Sequence, residues 1–268
     1  MEERTDVVFD VGAHKGEDSA FYLKLGYRVV AVEPSPALVK HLKQRFKAQI
    51  ADGTYTLIDK AIGNADGEIS FFVNTAVSVW GTTDPRWVLR NERLGTDSEE
   101  ITVPCVRLTE ILKTYGCPHY LKIDVEGADM LCVRDLGSVT CRPKYISLES
   151  TKTSWSDLLA EFETLSNLGY TRFKVVDQTR HGTGTFKTRL NQSLTHTFEE
   201  HSSGPFGDDV PGPWLSKRRA ILRYIPIFLL YKTVGDDNIW LQRLLQRFPV
   251  LRRVVPAAHW YDTHAMCV

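Results

Sequence analysis

Apolar positions in this chain fall into short runs, and runs typical of buried strands alternate with stretches at helical spacing. Val7, Val8, Phe9 and Val11 read as a strand buried on both faces, as in a parallel sheet. Gly12 and Gly16 then permit a tight turn with close backbone approach. A helix is expected to start near Asp18 and to run through Ser19–Leu25 until Gly26 stops it. Arg28–Val32 is a second strand, ending in Glu33. Pro34-Ser35-Pro36 leads into a helix with Ala37, Leu38, Leu42 and Phe46 at helical spacing. Tyr55–Ile62 reads as a third strand and Glu68–Val73 as a further short one. This β-α-β-α-β order predicts a parallel sheet with right-handed crossovers.

Residues 74–100 break the rhythm, with Trp80, Pro85 and Trp87 among mixed charges. Such an irregular insertion is either a lid at a ligand-binding edge or a surface loop packing its own tryptophans. Strand character returns at Ile101–Val106, with a short helix near Leu108, Ile111 and Leu112. Tyr120, Leu121, Ile123 and Val125 form a buried strand along which Lys122, Asp124 and Glu126 alternate. A helix through Met130 and Leu136, a strand over Lys144–Ser150, a helix over Trp155–Leu168 and a strand over Tyr170–Val176 follow. Beyond Asp177 the character changes. His181–Thr185 and Ser202–Asp209 read as polar loops, and Trp214–Tyr231 and Asn238–Phe248 as helices. The expected organisation is a core over 1–176 and an extension over 177–268 that forms a lid or the acceptor side of the pocket.

Charge narrows the partners. The chain has 268 residues and a formal net charge of zero, which argues against a general nucleic-acid binder. Between Trp214 and Pro256 nine bases face two acids, so that stretch carries 9 − 2 = +7. Residues 214–253 could therefore lie as a basic amphipathic surface on an anionic membrane, or pack as a helical cap with solvated arginines. Five cysteines without C-x-x-C spacing are expected to be reduced thiols, and no zinc or other metal site is expected. The polar N-terminus does not resemble a signal peptide, and the run Ile225–Tyr231 is too short to span a bilayer. A cytoplasmic location is the resulting expectation.

The strand ends carry the chemistry. Glu33 follows Gly12 by about twenty residues, where a carboxylate can accept both ribose hydroxyls of a nucleoside. Gly12-x-x-x-Gly16 lacks the central glycine of a dinucleotide fingerprint, so the close approach needed by a pyrophosphate is missing. An adenosine ligand without phosphate, such as S-adenosylmethionine, suits the turn better. Lys122, Asp124 and Glu126 sit at the carboxyl end of a central strand, where open α/β sheets bind ligands. His181 and His201 lie on tail loops that could close over the site.

Phe9-Asp10-Val11-Gly12-Ala13-His14-Lys15-Gly16, Asp59-Lys60-Ala61-Ile62-Gly63 and Leu121-Lys122-Ile123-Asp124-Val125-Glu126-Gly127 together resemble the FkbM family of S-adenosylmethionine-dependent methyltransferases. The resemblance covers residues 6–176, about two thirds of the chain. It implies an α/β class I methyltransferase fold, Rossmann-like and doubly wound, with a seven-stranded, mostly parallel sheet. It also implies O-methylation of a hydroxyl on a small metabolite, sugar or lipid-linked sugar, with S-adenosylhomocysteine as product. Asp10, Gly12, Ala13, His14, Gly16, Glu33, Asp59, Lys60, Ala61 and Asp124 are then the expected cofactor residues. Asp124, Glu126, His14 and Lys122 are the candidates for catalysis, as bases or as partners of a forming alkoxide. The chain departs from the family at His14, where many members have asparagine, and at Asp129, where they have glutamate. A nicotinamide-dependent reductase and a non-catalytic methyltransferase-like binding subunit are the competing readings.

Overall fold

A computed structural model of the chain describes residues 2–199, 201–234, 247 and 259–268. The first half runs β1 (Glu3–Val11), α1 (Glu17–Lys24), β2 (Arg28–Val32), α2 (Pro36–Arg45), α3 (Lys47–Ala51), β3 (Tyr55–Ile58), β4 (Ala61–Ile62) and β5 (Gly67–Asn74). It continues through α4 (Pro85–Arg93), β6 (Ser98–Val106), α5 (Leu108–Tyr115) and β7 (Cys117–Ile123). The second half holds α6 (Asp129–Gly137), β8 (Tyr145–Glu149), α7 (Trp155–Asn167), β9 (Tyr170–Asp177), β10 (Thr183–Lys187), β11 (Ser193–Thr197), α8 (Lys217–Val234) and β12 (Tyr261–Cys267).

Seven strands form the central sheet in the order β3-β2-β1-β7-β8-β12-β9. The pairs β1/β2, β2/β3, β1/β7 and β7/β8 are parallel, whereas β12 runs antiparallel to both of its neighbours. This is the doubly wound, Rossmann-like class I methyltransferase arrangement expected from the sequence. Strand order reverses between β1 and β7, and a crevice opens there outside the carboxyl ends. One face of the sheet buries Phe9, Leu121 and Ile146 against α5, α6 and α7. The other face buries Val8, Tyr120 and Tyr145 with Phe21 and Tyr22 of α1. Each interior strand is therefore covered on both sides, which explains its nearly continuous apolar run.

Four expectations change. Tyr55–Ile62 is not one strand: the last β2/β3 pair is Val32 with Ile58, and beyond it the chain has no neighbour to follow. It turns at Asp59-Lys60, and β4 joins a separate sheet of order β4-β6-β5. Within residues 74–100, Asp84 accepts from Arg86 N (2.9 Å) and, with Pro85 next, starts α4. His181–Thr185 is not a free loop but leads into the β10/β11 hairpin, whose Phe186, His196 and Phe198 rings lie 4.8–5.0 Å from that of Phe21. Cys117 and Cys141 form a disulfide, so only Cys105, Cys132 and Cys267 are free thiols. Parallel β7 and β8 bring the amino-terminal ends of their strands side by side, a proximity invisible in the 24-residue spacing.

The end of the chain changes the picture most. Trp260–His264 had no strand signature, yet β12 is inserted between β8 and β9, with Asp262, Thr263, His264 and Ala265 buried. Residues 1–176 therefore lack one interior strand of the sheet, and the tail is part of it. Thr263 Oγ1 meets Ser150 Oγ (2.6 Å) and Tyr224 OH (2.8 Å), and Ser150 also hydrogen-bonds Glu161 of α7. This buried polar chain ties β12 to α7 and α8. Helix α8 runs on through Pro226. The predicted helix Asn238–Phe248 and the bases Arg243, Arg252 and Arg253 lie outside the described residues, Arg247 excepted.

Burial pushes the Glu161 carboxyl up to about 8, against the opposing pull of its Ser150 hydrogen bond. The native state then holds a proton that the unfolded chain releases above 4.5. Stability from this group is full below 4.5 and declines by up to about 1.4 kcal/mol per pH unit until the folded value is passed. Urea unfolding at pH 5.5, 7 and 8.5 should show this decline in the wild type and a flatter profile in Glu161→Gln. Parallel profiles would refute the assignment.

Candidate active site

A cavity of about 530 Å³ lies over the carboxyl ends of β1, β2, β7 and β8 and the amino end of the antiparallel β12. Its floor is the turn after β1. Gly12 adopts φ +89°, and the Gly12 and Ala13 amides both donate to Val32 O (3.0 and 3.1 Å). A Cβ on Gly12 would stand 1.9 Å from the carbonyl oxygen of Asp124. The glycine is thus required by the chain's own β7 loop, not only by ligand approach. Gly16, at φ +82°, starts α1, and a Cβ there would meet Phe46 at 2.4 Å and Leu42 at 2.8 Å. It packs α1 on α2 and does not line the cavity, contrary to its expected cofactor role.

Beside this turn the cavity is mostly apolar. Glu33, 5% exposed, accepts from His14 N (3.0 Å) and Ser35 N (2.9 Å), one oxygen each. Burial still pushes its carboxyl up to about 7. Ala13, Leu38, Ala61, Ile62 and Phe71 line the cavity with it, as does Lys60. Asp59 does not: it pairs with Lys43 at 3.0 Å on the surface, because the chain turns outward after β3. His14, in the left-handed region at φ +49°, places Nε2 2.9 Å from Ser78 Oγ.

Lys122 lies beneath the turn, 3% exposed, with Nζ 3.1 Å from Asp124, 3.3 Å from Asp18 and 3.4 Å from Asp10. Burial favours the neutral amine, but Asp124, Asp10 and Asp18 outweigh it and hold the ammonium well above its ordinary value. Asp10 is pushed up to about 6 by burial, with Lys122 pulling the other way. It is fully buried, bonds Ser19 Oγ (2.6 Å) and stays outside the cavity lining. Its expected cofactor contact is therefore replaced by a supporting one. Asp18 also accepts from Ser203 N (2.9 Å) and from the Ser202 hydroxyl, which fastens the tail loop over the cavity.

The opposite half is lined by carboxylates: Asp124, Glu126, Glu149 and Asp262. Glu149 is bonded to Lys152. Glu126 Oε2 is buried without a hydrogen-bond partner, and burial followed by Glu149, Asp124 and Asp129 pushes its carboxyl well above the usual range. Helix α6 takes Ala128 as its N-cap, so Glu126 does not cap it. The 74–100 insertion forms a wall of the cavity through Ser78, Trp80 and Thr82, with Thr82 Oγ1 donating to Glu126 O at 2.6 Å. His181 and His201 line the cavity; His181 Nε2 lies 2.7 Å from Gln178 Oε1. Among the described residues no group of three or more His, Cys, Asp or Glu side chains is arranged to hold a metal.

Sequence reasoning missed Ser78, Glu149, Trp260 and Asp262. Glu149 was findable, since it ends a predicted strand, while Asp262 depends on where β12 inserts. Gly12→Ala should cost about 2–5 kcal/mol of stability, from a strained positive φ and collision with the Asp124 carbonyl. Denaturant unfolding checks this, and wild-type stability in the variant would contradict the packing account.

The family described as the Methyltransferase FkbM domain matches residues 10–172. No curated protein matches the chain. Among solved structures, the chain is similar to a precorrin-6y C5,15-methyltransferase from Geobacter metallireducens GS-15, at 14% identity and TM-score 0.36 over 73% of this chain and 77% of that one. It is also similar to a methyltransferase FkbM from Methylobacillus flagellatus KT, at 14% identity and TM-score 0.39 over 73% of this chain and 44% of that one. A putative sarcosine dimethylglycine methyltransferase from Galdieria sulphuraria aligns at 8% identity and TM-score 0.38 over 98% of this chain and 78% of that one. With the β1 turn, Glu33 and the segment Lys122–Glu126 all inside the family match, the chain belongs to the FkbM-domain methyltransferases.

Proposed function

We propose that this protein transfers a methyl group from S-adenosylmethionine to a hydroxyl of a small metabolite, sugar or glycolipid. The observation that carries this reading is a cavity with two unlike halves in a methyltransferase-family chain: an apolar half ended by Glu33 and a carboxylate half beyond Asp124. The residues suit the cofactor. Each Glu33 oxygen takes one backbone N–H and keeps capacity for a ribose hydroxyl, while Leu38, Ala61 and Ile62 offer an apolar bed for adenine. Asp124, at the switch point, suits the positive methionine end. When bound, S-adenosylmethionine supplies an already activated methyl group, which leaves the protein to orient the acceptor and take its proton.

Glu126 is the better base of the two acids first considered. Its carboxylate is unpartnered and its proton affinity raised, whereas Asp124 is tied to Lys122 at 3.1 Å. Lys122, held by three carboxylates, positions Asp124 and is not free to stabilise an alkoxide. His14, bonded to Ser78, fixes the insertion against the turn. A nicotinamide dinucleotide is disfavoured, because its pyrophosphate would lie among Glu17, Asp18 and Asp124. Calorimetry with S-adenosylhomocysteine and with NADH separates the enzyme readings from a binding subunit that takes neither. Glu33→Ala should weaken S-adenosylhomocysteine binding by about 1–3 kcal/mol through lost charge-assisted hydrogen bonds. An unchanged affinity would remove Glu33 from the site.

For location, no described helix is long and apolar enough to cross a membrane. The Cys117–Cys141 bridge weighs against the reduced-thiol argument for the cytoplasm. We also propose a peripheral contact of α8 with an anionic membrane surface. Leu222, Ile225 and Leu229 form an exposed stripe at helical spacing, and Arg218, Arg219 and Arg223 are exposed around it. The protein should sediment with anionic vesicles at low salt and release at physiological salt. Protein remaining in the supernatant at low salt rules the contact out.

A further inference from the structure

The carboxylate half of the cavity gathers more acid groups than the protein supplies with bonded cations. Glu149 and Asp262 are register partners across β8 and β12, so their Cβ atoms face each other at about 5 Å. Like charges placed directly opposite destabilise a sheet. Lys152 is bonded to Glu149 and pulls on Asp262 only through space, less than Asp124 and Glu149 push the other way. Asp262 is 7% exposed, lines the cavity, and among the described residues its side chain makes no hydrogen bond or ion pair. Burial, then Asp124 and Glu149, pushes its carboxyl well above the usual range. Behind them, Asp129 Oδ1 is buried without a partner, as is Glu126 Oε2. The other nearby cation, Lys122, is committed to Asp10, Asp18 and Asp124.

The proposed cofactor does not settle this balance. Its carboxylate and ammonium cancel, leaving one positive charge at the sulfonium. Glu33 and Asp262 end strands four sheet steps apart, roughly 19 Å at about 4.8 Å per step, so the β12 end lies well beyond the adenosine half. Among the described residues no metal-holding group exists to supply a cation. A neutral acceptor would leave Asp262 without a counter-charge beside Asp124 and Glu149, and an anionic one would be repelled. Trp260, two residues before Asp262, also lines the cavity, and an indole is a side chain that can attract a cation.

We infer that the acceptor carries a protonated amine near the hydroxyl that is methylated, as in an amino sugar, amino alcohol or aminocyclitol, and that Asp262 binds this ammonium. The inference rests on the methyl-transfer reading above. Asp262 with Glu126 selects the charge, which orients the neighbouring hydroxyl toward the switch point. Neutral sugars and acidic acceptors are discriminated against by the unpaired carboxylates they leave behind.

The test is calorimetry on the full chain saturated with S-adenosylhomocysteine. Probes are D-glucosamine and 2-deoxystreptamine, each against its N-acetylated form, with D-glucose as the neutral sugar. The amines should bind about tenfold or more tighter than their N-acetylated forms. Asp262→Asn, which is nearly isosteric, should erase that preference while keeping S-adenosylhomocysteine affinity. Equal or tighter binding of the neutral probes, no binding of the amines, or an amine preference that survives in Asp262→Asn would overturn the inference. Absence of S-adenosylhomocysteine binding in the wild type would instead overturn the underlying reading, and this inference with it.

Discussion

The Lys122 ammonium, buried among Asp10, Asp18 and Asp124, is the contact on which the active-site architecture depends. It joins β1, β7 and α1, and through Asp18 it reaches the tail loop at Ser202-Ser203. A lone buried lysine or a lone buried aspartate would be expensive, and removing one partner of such a set commonly costs about 3–5 kcal/mol. Three carboxylates around one cation make the group net negative. That excess sets the sign of the field at the switch point, where a sulfonium is favoured and a pyrophosphate is not.

Around this centre the cavity divides by chemistry. The β2 side is apolar, with one carboxylate whose oxygens are each fixed by a backbone amide. The β8/β12 side concentrates acids at strand ends, where side chains escape the sheet and converge. The insertion between β5 and β6 closes one wall, held by Thr82 on the β7 loop and by Ser78 on His14. Phe198, just after β11, and the Ser202-Ser203 loop close another. Both covers hang on groups of the turn and strand ends, so cavity shape and charge are set by the same few contacts.

Most of the sheet could be read along the chain. The runs Val7–Val11, Arg28–Val32 and Tyr120–Ile123 are apolar on both faces because α-helices cover both faces, and that pattern is local. Glu33 and Asp124 were equally legible, since strand-end position in a doubly wound sheet follows from strand order. Gly12 was legible as a residue but not in its reason: only the fold shows the Asp124 carbonyl where a Cβ would go. Gly16, Asp10 and Asp59 carried the right residue types, yet packing turned the first two inward to support the turn and the third outward to Lys43.

By itself, then, the sequence determined the parallel α/β core, the acid at the end of β2 and the cluster after Ile123. These depend on periodicities and spacings within a few dozen residues. Tertiary structure decided what long-range pairing controls. A polar stretch, Tyr261–Cys267, becomes an interior strand because β8 and β9 leave a slot between them and because Thr263 finds Ser150 and Tyr224 there. That insertion places Asp262 opposite Glu149, and Cys117 meets Cys141 because β7 and β8 are parallel neighbours. Register between strands distant in sequence leaves no periodic trace in either strand, so the carboxylate half of the cavity emerges only when the sheet is assembled.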